Sequence, residues 1–127
     1  MADVLIIEDN ALVRRSLERA FVKEGYTVAT AGNGEQALRD LDQSGTLPKI
    51  IIMDLIMPVM DGWTLRQRLL QNDSWSRVPV IALSGAGVDD TDKTLPGVVC
   101  ILKPVSMQTL FENVARLIAE TFTSKMN

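Results

Sequence analysis

The chain predicts an α/β fold, a parallel sheet covered on both faces by helices, and three observations carry that expectation. Short apolar, β-branched runs recur five times in 127 residues, at DVLII, YTVAT, IIIM, VPVIAL and VVCIL. Segments with helical spacing of apolar residues lie between them, joined by short connections. The third run is continuously apolar rather than alternating, which is how a strand buried on both faces reads.

Residues 3–7 form the first strand, and it ends in Glu8-Asp9. Asn10 is placed to cap a helix in which Val13, Leu17, Ala20 and Phe21 recur on one side, with Arg14, Arg15 and Arg19 outside and Gly25 as its stop. Tyr26 to Thr30 is a second strand, less apolar and suited to an edge. Gly32-Asn33-Gly34 is a turn, and Ala37, Leu38 and Leu41 form the buried stripe of a second helix that ends at Ser44-Gly45.

Ile50 to Met53 is the third strand, with Asp54 at its exit. A third helix from about Gly62 to Leu70 buries Leu65 and Leu69 and turns Arg66, Gln67 and Arg68 to water. Val78 to Leu83 is the fourth strand and runs into Ser84-Gly85. Residues 86–97 offer at most a short acidic helix, with Asp89, Asp90 and Asp92 at a solvated start and Pro96-Gly97 at its close. Val98 to Leu102 is the fifth strand and delivers Lys103-Pro104. Ser106 caps a last helix in which Leu110, Val114, Leu117 and Ile118 face inward. Right-handed crossovers make this a doubly wound, three-layer sandwich, expected as one domain over 1–127 with no output domain in the chain.

Composition narrows the chemistry. The chain is 46% hydrophobic and 23% charged with a net charge of −3, the profile of a soluble globular domain with no electrostatic reason to bind nucleic acid or an anionic membrane. No apolar run reaches membrane-spanning length, and the N-terminus lacks a signal-peptide pattern, so a cytoplasmic location is expected. Cys100 is the sole cysteine and sits in an apolar run, where a buried, reduced thiol is expected. There is no histidine. Ser-His-Asp and Cys-His catalysis and histidine-bearing zinc sites are therefore excluded.

What remains is carboxylates, hydroxyls and lysines, and four strand exits carry them: Glu8-Asp9, Asp54, Ser84 and Lys103. Strand ends of a parallel sheet share one side, where open α/β sheets bind their ligands. Any one of these residues alone reads as a solvated loop residue or helix cap; all of them at strand exits together point to a site. Two carboxylates about 4 Å apart repel by roughly 4 kcal/mol at an intermediate dielectric, so the cluster must take a proton or a cation. An all-oxygen donor set suits a hard ion such as Mg²⁺, with Mn²⁺ as a substitute. Carboxylate nucleophile, metal, lysine and hydroxyl together make a phosphoryl-transfer set. Asp54 is its natural nucleophile, because Glu8-Asp9 is better placed to hold the metal.

With the motifs IIEDN, MDLIMPVMDG, ALSG and LKP in this order, the sequence closely resembles the receiver domain of two-component response regulators over essentially its whole length. The resemblance implies a flavodoxin-like sheet in the order 2-1-3-4-5 flanked by five helices. It implies Asp54 as phosphoacceptor, Asp9 as a direct Mg²⁺ ligand, Glu8 acting through water, and the backbone carbonyl of Ile56 completing the metal site. Ser84 matches the switch hydroxyl, Gly85 the small residue that keeps the pocket open, Lys103 the phosphate-contacting lysine, and Lys103-Pro104 a cis bond. The implied donor is a histidine kinase or histidine phosphotransfer protein, with an output partner that the residues do not identify.

The chain departs from that pattern at three places. Cys100 stands where the family commonly has an aromatic switch residue, and the interval from Ser84 to Lys103 is short. Ile56 and Ala86, two residues beyond Asp54 and Ser84, cannot hydrogen-bond an attacking water, so a long-lived acyl phosphate is expected. Two other readings fit less well. A phosphatase of the haloacid dehalogenase type, which also works through an aspartyl-phosphate, generally needs a second acid where this chain has Ile56. A degenerate receiver serving only as a binding scaffold would have no use for a complete acidic pocket. Trp63 and Trp75 are expected to pack a helix face and a loop.

Overall fold

A computed structural model describes residues 1–85 and 97–126, with side chains to residue 123. Five strands, β1 (Val4–Ile7), β2 (Val28–Ala31), β3 (Ile50–Asp54), β4 (Val80–Ser84) and β5 (Val98–Leu102), pair in parallel in the order β2-β1-β3-β4-β5. Among the described residues the helices are α1 (Ala11–Lys23), α2 (Gly34–Ser44), α3 (Gly62–Leu70) and α4 (Met107–Met126), with a 3-10 turn at Trp75–Arg77. The short acidic helix expected within 86–97 falls on residues outside that description, apart from Gly97.

Every residue of β1, β3 and β4 is buried, which is why their sequences are apolar. Strand alternation sorts them between two cores. Leu5, Ile7, Ile51, Met53, Val80 and Ala82 pack with Leu41, Leu65 and Leu69 of α2 and α3. Val4, Ile6, Ile50, Ile52, Ile81 and Leu83 pack with Leu17 and Phe21 of α1 and with Leu110 and Val114 of α4. Phe21 meets Phe111 edge-on at 5.0 Å and Tyr26 at 5.7 Å, which fastens α4 to α1. Trp63 and Trp75 lie half-buried against the first core.

Several expectations shift. The second strand begins at Val28 rather than Tyr26, whose ring is taken into the aromatic contact with Phe21. The fourth begins at Val80, because Val78 donates its N–H back to Trp75 and closes the 3-10 turn. Val13, expected in the buried stripe of the first helix, is exposed: it lines an open surface groove with Leu12 and Ser16 of α1 and with Met107 of α4. Cys100 is exposed rather than buried. Val99 and Ile101 turn to the α1/α4 core, so alternation sends Cys100 and Leu102 the other way at the edge of the sheet.

Arg66, expected in water, is only 3% exposed. It adjoins Leu65 and Leu69 on the helix, and its guanidinium reaches the entry to β5, where a Cβ on Gly97 would lie 2.8 Å from Nη2. Burial pulls its pKa down. Gly97 itself has φ of 72°, so a glycine is required there both by backbone conformation and by that contact. No helix among the described residues is long and apolar enough to cross a membrane.

Candidate functional site

Parallel register assembles the site. Ile7 is paired with Met53, so the next residues, Glu8 and Asp54, emerge side by side between β1 and β3. The sheet order reverses its direction of growth at this pair of strands, the place where a crevice opens above an α/β sheet. Ser84 is paired with Leu102, and the ladder continues one step through Lys103 N–H to the Ser84 carbonyl at 2.7 Å. Lys103 is thereby delivered to the crevice from the edge strand. Its Nζ lies 2.7 Å from Asp54 Oδ2, while Asp54 Oδ1 accepts the backbone N–H of Ile56 at 3.1 Å.

Glu8, Asp9 and Asp54 each present a carboxylate oxygen within 4.8 Å of the others. Glu8 and Asp54 are buried and Asp9 is exposed. Glu8 Oε1 accepts the N–H of Asn10 at 3.1 Å. Burial first, then the charge of Asp54 and a hydrogen bond with it, push the Glu8 carboxyl from 4.5 up to about 7, against the lowering pulls of the Asn10 N–H and of Lys103. Lys103 therefore offsets the crowding of the acids only in part. Three converging hard oxygens, one of them driven to hold a proton, are a donor set that fits a small divalent cation.

Among the other residues singled out in the sequence, Ile56 has an exposed side chain and meets Asp54 through its backbone. Ser84 is buried at the end of β4. Among the described residues, Gly85 has no heavy atom within 4 Å of where a Cβ would stand. The Lys103-Pro104 peptide is cis.

The loop after Asp54 is tightly routed. A Cβ on Gly62 would lie 2.9 Å from the Leu55 Cα and 3.3 Å from the Asp54 carbonyl, so the start of α3 can rest on the strand exit only as glycine. Gly62 N–H donates to the Leu55 carbonyl at 2.8 Å, and Asp61 caps the helix through Thr64 N–H at 2.8 Å. Val59 holds φ of 71°, a left-handed conformation that costs a β-branched residue about 1–3 kcal/mol.

Sequence reading missed Arg14, which it placed in solvent. The side chain is half-buried, and Nη1 donates to the carbonyls of Glu8 at 2.8 Å and Asp9 at 3.4 Å. One signal was available: a cation near the start of a helix opposes the helix dipole and needs another reason to be there. Asn33 and Asp61 were likewise not read as caps, although Asn33 Oδ1 accepts Gln36 N–H at 2.8 Å.

A cleft of about 680 Å³ lies at the opposite edge of the sheet, lined by residues that precede the strands, including Tyr26, Pro48 and Val78, and by Ile118 and Phe122 of α4. Its walls are mainly apolar. The chemistry lies with the carboxylates.

Comparison with known proteins agrees with this geometry. The family model of the response regulator receiver domain matches residues 4–115. The transcriptional regulatory protein AfsQ1 of Streptomyces coelicolor is 34% identical over 72% of this chain and 38% of its own length. The sensor kinase CckA of Brucella abortus is 32% identical over 92% of this chain and 12% of its own. The chain thus spans well under half the length of these relatives. The receiver domain of a signal transduction histidine kinase from Syntrophus aciditrophicus superposes with a TM-score of 0.84 at 30% identity, covering 94% of this chain and 92% of that one. The receiver domain of a sensor histidine kinase from Pseudomonas aeruginosa PAO1, solved with a magnesium ion coordinated in its active-site cleft, superposes with a TM-score of 0.82 at 26% identity, covering 93% and 98%.

Proposed function

We propose, from the premise that this chain belongs to the response regulator receiver family, that Asp54 accepts a phosphoryl group from a phosphohistidine on a kinase or phosphotransfer protein. The chain is a signalling domain, and its output follows from how the rest of the signalling protein or a partner reads that modification. The donor histidine lies outside these 127 residues, which contain none.

The observation that carries the reading is the position of Asp54. Its two oxygens are held apart, one by the Ile56 N–H and one by Lys103, while Glu8 and Asp9 stand within 4.8 Å. Glu8, Asp9, Asp54 and the Ile56 carbonyl would hold Mg²⁺ or, in its place, Mn²⁺, which supplies positive charge to the phosphoryl oxygens when bound. An Asp54 carboxylate oxygen forms the new bond to phosphorus as the P–N bond to the donor imidazole breaks. That nitrogen keeps the bonding pair, and Asp54 becomes an acyl phosphate. Lys103 exchanges its contact with Asp54 for a phosphoryl oxygen, and the Ser84 hydroxyl, one strand away, takes another. The shift of Ser84 and Lys103 repacks the ends of β4 and β5, a local charge event that biases a two-state element.

Acetyl phosphate with Mg²⁺, read by intact mass, tests this. Wild type is expected to gain the mass of one phosphoryl group and Asp54→Ala none. No gain in wild type would leave the chain a binding scaffold, and turnover of a generic phosphate ester would make it a phosphatase.

A further inference from the structure

We propose that Arg14 is a positioning residue for the cation site, a clamp on the backbone of the acidic loop that aims Glu8 and Asp9 toward Asp54. The inference rests on the reading that these three carboxylates hold a divalent cation.

Arg14 lies in the first turns of α1, directly after the loop that carries the acids. Nη1 reaches back to two successive carbonyls, those of Glu8 and Asp9. Successive carbonyls caught by one donor fix the peptide planes on either side of Asp9, and hence the direction in which its side chain leaves the chain. The guanidinium lies between two loops: a Cβ on Gly32, in the β2–α2 turn, would be 3.8 Å from the same Nη1. Gly32 is itself tied by its N–H to Gln36 of α2 at 2.9 Å. The loop is closed from its other side by Asn10, whose N–H binds Glu8 Oε1 and whose Oδ1 caps α1 through Leu12 and Val13. Arg14 makes no ion pair with a carboxylate among the described residues. It therefore differs from Lys103, which occupies an acid oxygen; Arg14 leaves all three carboxylates open to a cation.

Two roles for such a cation predict opposite signs. A positive charge acting only through space repels Mg²⁺, so its removal tightens binding. A clamp that orients ligands weakens binding when removed, typically by tenfold or more for groups that hold metal ligands in place. Calorimetric titration of Mg²⁺ into wild type, Arg14→Met and Arg14→Lys separates the two, with thermal melts of the metal-free proteins alongside. Arg14→Met is expected to weaken Mg²⁺ binding by about tenfold. Arg14→Lys keeps the charge without the planar fork and is expected to lose about threefold. Binding by Arg14→Met as tight as wild type, or tighter, overturns the proposal. Should Arg14→Met fail to fold, an Arg14→Lys affinity equal to wild type overturns it. A wild type that takes up no Mg²⁺ overturns the cation-site reading itself, whereas failure in the variants alone leaves that reading standing.

Discussion

The sheet carries an aspartate–lysine pair at each of its two edges, and the pairs behave differently. At the amino edge, Asp3 and Lys49 stand 3.5 Å apart with side chains 33% and 63% exposed. At the carboxyl edge, Asp54 and Lys103 stand 2.7 Å apart with side chains 9% and 38% exposed. The first is a surface ion pair whose attraction is screened by water and salt. The second is half-buried beside two further acids. What separates them is not residue type but how many carboxylates the strand register brings to each edge, and how little water is left to shield them. One lysine decorates the surface; the other is held against a buried carboxylate.

Substitutions at the two edges sharpen this contrast. The largest effect is expected at the carboxyl edge: Lys103→Met should slow phosphoryl uptake from acetyl phosphate by on the order of 100-fold, the cost of removing one charged donor to a developing phosphoryl oxygen. Lys49→Met should leave that rate unchanged and shift stability by no more than about 0.5 kcal/mol. Equal effects in the two variants, measured by timed intact mass, would erase the distinction.

Next in size is Ile56→Asn. Ile56 is 57% exposed at the mouth of the crevice and offers no hydrogen bond to an attacking water. Asparagine there should speed hydrolysis of the acyl phosphate by about tenfold by orienting that water. An unchanged half-life would mean that water reaches Asp54 by a route this side chain does not control.

A smaller effect concerns stability. Glu8 ionises near its ordinary 4.5 in the unfolded chain and at about 7 in the fold. Between those values the folded state binds more protons than the unfolded one, so stability of the metal-free protein falls as pH rises from 4.5 to 7, and the whole penalty is present above 7. Glu8→Gln should therefore stabilise the metal-free protein at pH 8 by on the order of 2 kcal/mol and do almost nothing at pH 4. Denaturant melts at the two pH values check it. Saturating Mg²⁺ should stabilise wild type at pH 8 more than it stabilises the variant, because the ion takes the place of the proton.

Much of this was legible in the chain itself. The run IIIM followed by Asp54 is a strand buried on both faces, since only such a strand is apolar at every position; the residue that follows it must lie at the carboxyl edge. The same reasoning brought Glu8, Ser84 and Lys103 to that edge, and it placed α3 at Gly62–Leu70 and β5 at Val98–Leu102 without change. These are matters of local periodicity and of the direction a parallel strand runs, both of which are written in neighbouring residues.

What only the tertiary structure decided was which side chains find a partner outside their own element. Arg66 and Arg68 look alike in sequence, yet Arg66 is buried because β5 enters beside that flank of α3. Arg14 and Arg15 are adjacent, yet Arg14 reaches back to the acidic loop, because the helix turns it over the strand exit. Cys100 sits in as apolar a run as Met53 does, yet it is exposed, because its strand closes the sheet. Periodicity fixes the face on which a residue stands. Its burial, its charge state and its partner depend on what the rest of the chain lays against that face.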